Sequence, residues 1–324
     1  MKKVIVVGAT GLVGSKIIEI LEQKKFPIKE IKFLASKNSA GEKIKFNDEI
    51  YEVKEVLLNE FEDYDIALFA AGSSVSEKFA RNVAKMGVRV IDNSSFYRME
   101  RDVPLIVPEV NPDAIGKNDY LIANPNCSTI QCMAPLYQIE KNYGIKRVVY
   151  STYQSVSGSG LKGLRDLDES LSEFYPYPIK NNALPHIDIF LENGYTKEEM
   201  KMVNETRKIL GIKDLPITAT TVRIPVRFGH AVSINVETKT DFNIEDVKSL
   251  MDNKLGMELK DDLEKNIYPM PIEAEGKDPI YVGRIRRDFS VKYGLNLWTV
   301  ADNIRKGAAL NAVQIAQLIE RKGY

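Results

Sequence analysis

Thiol chemistry has few places to occur in this chain, because the sequence holds two cysteines, Cys127 and Cys132, and two histidines, His186 and His230. Cys127 follows Asn124-Pro125-Asn126 and precedes Ser128-Thr129, where a short apolar run gives way to a helical pattern. Unpaired N–H groups at a helix start favour a thiolate and pull its pKa below the free value of about 8.5. Cys132 lies among Ile130, Met133 and Ala134 and reads as a small packing residue. On one helix the two thiols fall on different faces, so no bridge is expected between them. A thiolate that adds to a carbonyl works with a group that moves a proton on or off the oxygen. His230 ends the run Arg223-Ile224-Pro225-Val226-Arg227-Phe228-Gly229-His230, at a turn between two expected strands, with arginines nearby for an anionic ligand. His186 stands in a proline-ended loop, Leu184-Pro185-His186-Ile187-Asp188, and reads as structural, so His230 is the better placed of the two.

A second constellation is Gly8-Ala9-Thr10-Gly11-Leu12-Val13-Gly14, which follows an apolar run and opens a helical one. Its G-x-x-G-x-x-G spacing is a variant of the dinucleotide-binding fingerprint. The glycines let backbone approach a pyrophosphate, and the helix N-terminus stabilises its charge. A tight turn with no binding role would also use glycines; the strand before and the helix after favour a cofactor. An NAD-type site places a carboxylate at the end of the next strand, on the ribose 2′-hydroxyl. Here residues 31–35 run instead into Ser36-Lys37-Asn38-Ser39. Hydroxyls, an amide and a cation suit a 2′-phosphate, so NADP is expected over NAD. Gly8, Ala9, Thr10, Gly11, Leu12, Val13, Ser36, Asn38 and Ser39 are therefore the cofactor candidates.

Alternating elements must carry these residues. Residues 4–7 form a continuous apolar run suited to a strand buried on both faces. Residues 12–25 have helical spacing, strands are expected at 31–35, 65–71, 88–92 and 120–123, and a helix at 76–86. Repeated β-α-β units imply a parallel, doubly wound sheet. After Cys127 a helix is expected over 128–143, then longer strands at 147–156, 219–226 and 231–238. The alternation Val232-Ser233-Ile234-Asn235-Val236 suits an antiparallel or mixed sheet with one covered face. Tyr175-Pro176-Tyr177-Pro178 is a proline-broken loop, and a final helix is expected over 303–321. The fold class is thus α/β: a Rossmann-type doubly wound parallel sheet plus an α+β domain with a mixed sheet.

Composition narrows the partners. A chain of 324 residues is longer than one core usually holds, so two domains are expected. Lys plus Arg and Asp plus Glu number 45 each, a net charge of zero, which leaves no excess to hold a nucleic-acid backbone or an anionic membrane. The opening Met1-Lys2-Lys3 and its apolar run are too short for a signal peptide, and no stretch is long enough to span a bilayer. A cytoplasmic protein with reduced thiols is expected, and no metal.

Together, Gly8-Ala9-Thr10-Gly11, Ser95-Phe96-Tyr97-Arg98-Met99, Asn126-Cys127-Ser128-Thr129, Gln154-Ser155-Val156-Ser157-Gly158, Arg223-Ile224-Pro225-Val226 with Gly229-His230, and Ala301-Asp302-Asn303-Ile304-Arg305-Lys306-Gly307-Ala308-Ala309 resemble the aspartate-β-semialdehyde dehydrogenase family, in its order and across nearly the whole chain. The resemblance implies NADPH-dependent reductive dephosphorylation of β-aspartyl phosphate, a step in amino-acid biosynthesis toward lysine, threonine and methionine. It implies Cys127 as nucleophile, His230 as acid–base, and Gln154 orienting the acyl group. Arg223 is similar to the arginine that grips the substrate α-carboxylate, and Asn126 lies beside it at the substrate. Glu205 looks like the partner of the substrate amino group, and Arg98 with Lys208 like the phosphate site. Ser157, Gly158 and Asn303 join the cofactor candidates on the same ground. Read from the residues alone, Arg98 could instead hold a loop, Glu205 and Lys208 could be a solvated helical pair, and Arg223 could pair with Glu237 or Asp241.

The resemblance also implies a discontinuous NADP-binding domain, 1–127 with 303–324, and a catalytic and dimerisation domain, 128–302. A homodimer, or a homotetramer, is implied as the assembly. The enzymatic rivals are N-acetylglutamyl-phosphate reductase, which usually has Gly-Cys-Tyr where this chain has Asn126-Cys127-Ser128, and a malonyl-CoA reductase on the same scaffold. A non-catalytic NADP-sensing protein is the rival from another class. It would need neither a reactive Cys127 nor an Arg223/His230 pair.

Overall fold

A computed structural model describes residues 1–324. In chain order the first part holds β1 (Lys2–Val7), α1 (Leu12–Gln23), β2 (Ile28–Ala35), β3 (Lys43–Phe46), β4 (Glu49–Glu52), β5 (Lys54–Glu55), β6 (Ile66–Phe69), α2 (Ser73–Lys85), β7 (Arg89–Asp92) and β8 (Leu121–Ala123). Then come α3 (Cys127–Tyr143), β9 (Ile145–Gln154), α4 (Gly160–Asp168), α5 (Lys197–Leu210), β10 (Ile217–Arg223), β11 (His230–Thr238), α6 (Ile244–Met251), β12 (Met257–Leu259), α7 (Pro271–Ala274), β13 (Ile280–Asp288), β14 (Gly294–Ala301) and α8 (Leu310–Arg321). These elements form two compact units, Met1–Pro125 with Ala308–Tyr324, and Asn126–Gly307.

The first unit is a six-stranded sheet in the order β5-β2-β1-β6-β7-β8. Its pairings are parallel, with Val4 of β1 opposite Ile31 on one side and Ile66 on the other. The run Val4-Ile5-Val6-Val7 is fully buried, as a strand covered on both faces requires. Ile17, Ile20 and Leu21 of α1 and Leu310, Val313 and Ile315 of α8 join one apolar core with β1 and β2.

The second unit is built on a six-stranded sheet in the order β10-β9-β11-β14-β13-β12. β9 runs parallel to β10 and antiparallel to β11, so the sheet is mixed. Residues 147–156 and 219–226 were expected to be strand throughout; β9 stops at Gln154 and β10 at Arg223. The stretches past those ends form the turns that carry site residues.

Three expectations need adjustment. The last helix does not begin at Asn303: a π-helical turn, Arg305–Ala309, precedes α8. The Asp302 carboxylate accepts from the N–H groups of Ile304 (2.8 Å), Arg305 (2.9 Å) and Gly276 (2.7 Å), which holds the chain away from a regular helix there. The compact units also divide after Pro125 and Gly307, not after 127 and 302. Asn126 and Asn303 both make their side-chain bonds within the second unit, which explains the shift. Lastly, α5, α6, β13 and β14 were not anticipated, although β14 pairs directly with β11.

Candidate active site

The glycine loop lies between β1 and α1, where the sheet order reverses. A cleft of about 560 Å³ opens there, lined by Gly8, Thr10, Gly11, Ser36, Lys37, Ser74 and Lys78 among others, with Glu55 its carboxylate. Gly8 has φ +79°, and a Cβ on it would meet the Ala70 carbonyl oxygen at 2.7 Å. A Cβ on Gly14 would stand 2.0 Å from the Gly8 carbonyl oxygen, so strand, loop and helix are packed as close as backbone allows. No side chain caps α1 and no acidic residue occupies its first turn, which suits an anion at its N-terminus. The Thr10 hydroxyl donates to Ser39 (3.3 Å), tying the loop to the segment after β2. Ala9 is buried, Leu12 and Val13 are half-buried, and Ser36 and Asn38 are exposed. The cradle and its cations fit a dinucleotide.

In the second unit Cys127 is the first residue of α3 and half-buried. Asn126 caps that helix through its Oδ1, which accepts from the N–H groups of Ser128 (2.9 Å) and Thr129 (3.3 Å). Helix α5 grips Asn126 twice. Its amide nitrogen donates to Glu198 Oε1 (2.9 Å), and its backbone N–H donates to Glu205 Oε2 (2.6 Å). Cys132 is wholly buried; burial pushes its thiol up, and it donates to the Ser128 carbonyl at 3.1 Å. Of the two thiols, Cys127 is thus the accessible one.

Glu198 is the hub of the cluster. Gln154, at the end of β9, donates through Nε2 to Glu198 (3.3 Å) and Thr152 (3.3 Å). Lys201 bridges Glu198 (3.0 Å) and Asp188 (2.8 Å). Burial alone would raise the Glu198 carboxyl, but Lys201, the Asn126 amide and Arg223 outweigh it and hold its pKa down at about 2. Glu198 is therefore an anion, flanked by Lys201 and facing Gln154 and Asn126.

His230 starts β11 and is fully buried. Its Nδ1 accepts the Ser155 backbone N–H at 3.0 Å, with the Ser155 hydroxyl also at 3.0 Å. Burial, reinforced by the Arg223 charge and opposed by Glu198, holds its pKa down to about 3. Arg223, at the end of β10, donates from Nη1 to the Ser155 carbonyl at 2.6 Å. His230 Nε2 and Arg223 Nε are buried without hydrogen-bond partners. Above them runs Gly158: a Cβ there would stand 2.8 Å from Arg223 Nη1 and 3.2 Å from His230 Nε2. Glu237 pairs with Lys146 and Asp241 with Arg287, so neither carboxylate is what holds Arg223.

Asn303 supports this turn from behind. Its Oδ1 accepts from Gly229 N (2.9 Å), Ser155 Oγ (2.9 Å) and Ser157 Oγ (3.2 Å). Asn303 and Ser157 were expected at the cofactor; both are buried, and their side chains bond to each other and to the loops around His230. Arg98, in the first unit, donates to the carbonyls of Asn124 (2.9 Å) and Asn93 (2.8 Å), at strand ends. Lys208 is half-buried on α5.

Asn126 and Gln154 thus meet at Glu198, Arg223 and His230 meet at Ser155, and all four lie with Cys127 in the second unit. Glu205 accepts from the Asn126 backbone N–H, and Glu198, two turns earlier on α5, accepts from the Asn126 side chain and from Gln154. Sequence reasoning missed Glu198 and Lys201. The signal was the stripe Glu198, Lys201, Glu205, Lys208, which repeats on one face of α5 behind the Thr196/Glu199 capping box.

A nucleotide cradle on one unit and a polar cluster with an accessible thiol on the mixed-sheet unit are the parts of a nucleotide-dependent dehydrogenase. Residues 3–118 match the family model described as semialdehyde dehydrogenase, NAD binding domain, and residues 133–306 that described as semialdehyde dehydrogenase, dimerisation domain. The aspartate-semialdehyde dehydrogenase of Aquifex aeolicus (strain VF5) is 49% identical over 99% of this chain and 98% of its own length. The crystal structure of aspartate semialdehyde dehydrogenase II of Vibrio cholerae complexed with ASA is 43% identical, with a TM-score of 0.96 over 100% of this chain and 99% of that one. That of the Candida albicans enzyme with NADP is 25% identical, with a TM-score of 0.82 over 100% and 99%. The chain belongs to the aspartate-semialdehyde dehydrogenase family.

Proposed function

We propose that this chain catalyses the NADPH-dependent reductive dephosphorylation of β-aspartyl phosphate to aspartate β-semialdehyde. Cys127 attacks the acyl carbonyl and phosphate leaves, giving a thioester. The bound nicotinamide supplies hydride to that thioester carbonyl. The resulting thiohemiacetal on Cys127 collapses to aldehyde and regenerates the thiolate. His230 acts on the oxygen of these species, and Gln154 and Asn126 orient the acyl group. Arg223 takes the α-carboxylate, for which a planar guanidinium is suited. The substrate ammonium is assigned to Glu205, with Glu198 a second carboxylate beside it; both bond Asn126. Arg98 and Lys208 remain the phosphate candidates; Lys201 is already held between Asp188 and Glu198.

NADP is favoured over NAD by Lys37 and Lys78 in the cleft and by the absence of an acidic residue in Ser36-Lys37-Asn38-Ser39. The dimerisation description of the second family match supports a homodimer. Two free thiols, one of them the nucleophile, suit a reducing cytosol. No helix is long and apolar enough to cross a membrane.

The observation that carries the proposal is the half-buried Cys127 at the head of α3, with His230, Arg223, Gln154 and ionised Glu198 gathered in the same unit. Reduction of NADP⁺ by aspartate semialdehyde with phosphate tests it, run beside N-acetylglutamate semialdehyde with phosphate and malonate semialdehyde with CoA. Faster turnover of either rival substrate overturns it.

A further inference from the structure

We infer that Glu55 reads the base of the bound dinucleotide: its carboxylate accepts from the 6-amino group of adenine, so the cleft selects a 6-aminopurine nucleotide. The inference rests on the cofactor named in the function proposed above, and it concerns the first unit alone. Glu55 ends β5, the strand outside β2, and stands opposite Ala35 in their parallel pairing. The Val56 N–H donates to the Ala35 carbonyl at 2.9 Å, which ties the two strand ends together where the cleft opens. Ala35, Glu55 and Val56 all line that cleft.

The Glu55 side chain is half-buried, and no group of the protein hydrogen-bonds or ion-pairs with its carboxylate. The neighbouring cations are turned elsewhere: Lys54 and Lys32 both reach Glu60, at 3.8 Å and 2.9 Å. Lys37 and Lys78 line the same cleft, and neither pairs with Glu55. A carboxylate that faces a cleft in this way is free to accept from a ligand.

The position of Glu55 points to the base rather than to the ribose. The glycine loop follows β1, Ser36 and Lys37 follow β2, and Glu55 and Val56 stand at the end of β5. Neighbouring strands are about 4.8 Å apart, so Glu55 lies one strand spacing beyond the hydroxyl and cation that suit a 2′-phosphate. A dinucleotide with its pyrophosphate on the glycine loop reaches β2 with its ribose and β5 with its base. The walls there suit a flat ring: Ala35, Val56, Ala70, Val75 and Phe79 are apolar and line the cleft. Faces buried between such walls leave the edge of the base in need of polar partners. On adenine the 6-amino group is a donor, a carboxylate can only accept, and Glu55 is the one carboxylate in the lining. A carbonyl at that position, as guanine carries, would set two acceptors face to face. A 2′-phosphate beside Glu55 would be repelled, which separates its role from that of Ser36 and Lys37.

Calorimetric titration with NADP⁺ and with its purine analogue, which carries hydrogen in place of the 6-amino group, tests this without turnover. The unsubstituted protein should bind NADP⁺ about three- to tenfold more tightly than the analogue, as one hydrogen bond at a partly exposed site contributes. Glu55→Ala should weaken NADP⁺ by that factor and leave the analogue unchanged, so the difference between them vanishes. Glu55→Gln, which keeps an acceptor oxygen, should restore most of it. Equal affinities in the unsubstituted protein, or a preference that survives Glu55→Ala, overturns the inference. So does tighter NADP⁺ binding in both variants with a rising preference over NAD⁺, which would set Glu55 beside the 2′-phosphate. Absence of turnover with aspartate semialdehyde would strike the proposed function alone, because binding is read without substrate.

Discussion

Gly307 lies directly against Cys127: a Cβ on Gly307 would come within 2.9 Å of Cys127 Cβ and 3.2 Å of its Cα. These are not the far ends of flexible side chains, so one of the two backbones must move. Gly307→Ala should therefore displace the sulfur more than it unfolds the protein. A misplacement approaching 1 Å costs on the order of 100-fold in kcat/KM, against about 1–3 kcal/mol in stability for overpacking. Steady-state kinetics and thermal melting on the one variant check this, and a melt that drops while kcat/KM holds would show the contact to be structural only.

Cys127→Ser should lose nearly all turnover while still binding NADPH, because the serine hydroxyl is a far weaker nucleophile at neutral pH. Cys132→Ser should keep activity within about twofold, since Cys132 is buried and its bond to Ser128 survives in serine. One equivalent of alkylating reagent should label Cys127 alone. Labelling of Cys132 in the folded protein would contradict its burial.

Arg223→Lys keeps the charge and loses the fork. Because Arg223 both reaches the Ser155 carbonyl and leaves Nε for a ligand, kcat/KM should fall by about 1.5–3 kcal/mol, roughly tenfold to over a hundredfold. A near-neutral effect on kcat/KM accompanied by a lower melting temperature would assign Arg223 a purely structural role.

Stability should depend on pH in two windows. His230 has a folded pKa of about 3, below its unfolded value of 6.5, so it favours the folded state above 6.5 and loses that contribution as pH falls from 6.5 toward 3. Glu198, lowered from 4.5 to about 2, adds a loss of the same sign over that lower window. Between them, unfolding free energy should drop with a slope approaching about 1.4 kcal/mol per pH unit for one proton. Denaturant titrations at several pH values give the slope. His230→Gln should flatten the upper window and leave the lower one, and Glu198→Gln should do the reverse.

Cofactor choice should follow the cleft. NADPH should exceed NADH in kcat/KM, and Lys37→Ala should narrow the gap by lowering the NADPH value alone, since Lys37 lines the cleft. Equal values for the two cofactors in the unsubstituted protein would refute the preference. Asn38 is exposed and carries no charge to add to it.

The parallel sheet was legible because its strands are buried on both faces and so read as unbroken apolar runs such as Val4–Val7. The site was legible where residue type and position agreed: a cysteine at a helix start, a histidine after Gly229 at a strand start. It was not legible on α5. Buried charged residues there are held by each other, and a stripe of Glu198, Lys201, Glu205 and Lys208 has the same period whether it meets water or a substrate. Strand β13 escaped for another reason: its register shifts between Gly283 and Arg286, where Arg284 has φ 53°, and this interrupts the strand pattern. The role of Asn303 was hidden because its partners, Ser155, Ser157 and Gly229, are remote in the chain.

The first unit closes with α8, whose Leu310, Val313, Ile315 and Ile319 fill the core beneath β1. During synthesis on a ribosome, everything from Asn126 to Gly307 emerges before those residues do. The nucleotide cradle made first must therefore wait with its apolar floor open, while the part made later is free to fold ahead of it. A nascent chain halted near residue 300 should thus be a target for chaperones that bind apolar segments, and release of the last turns should be the event that ends that dependence.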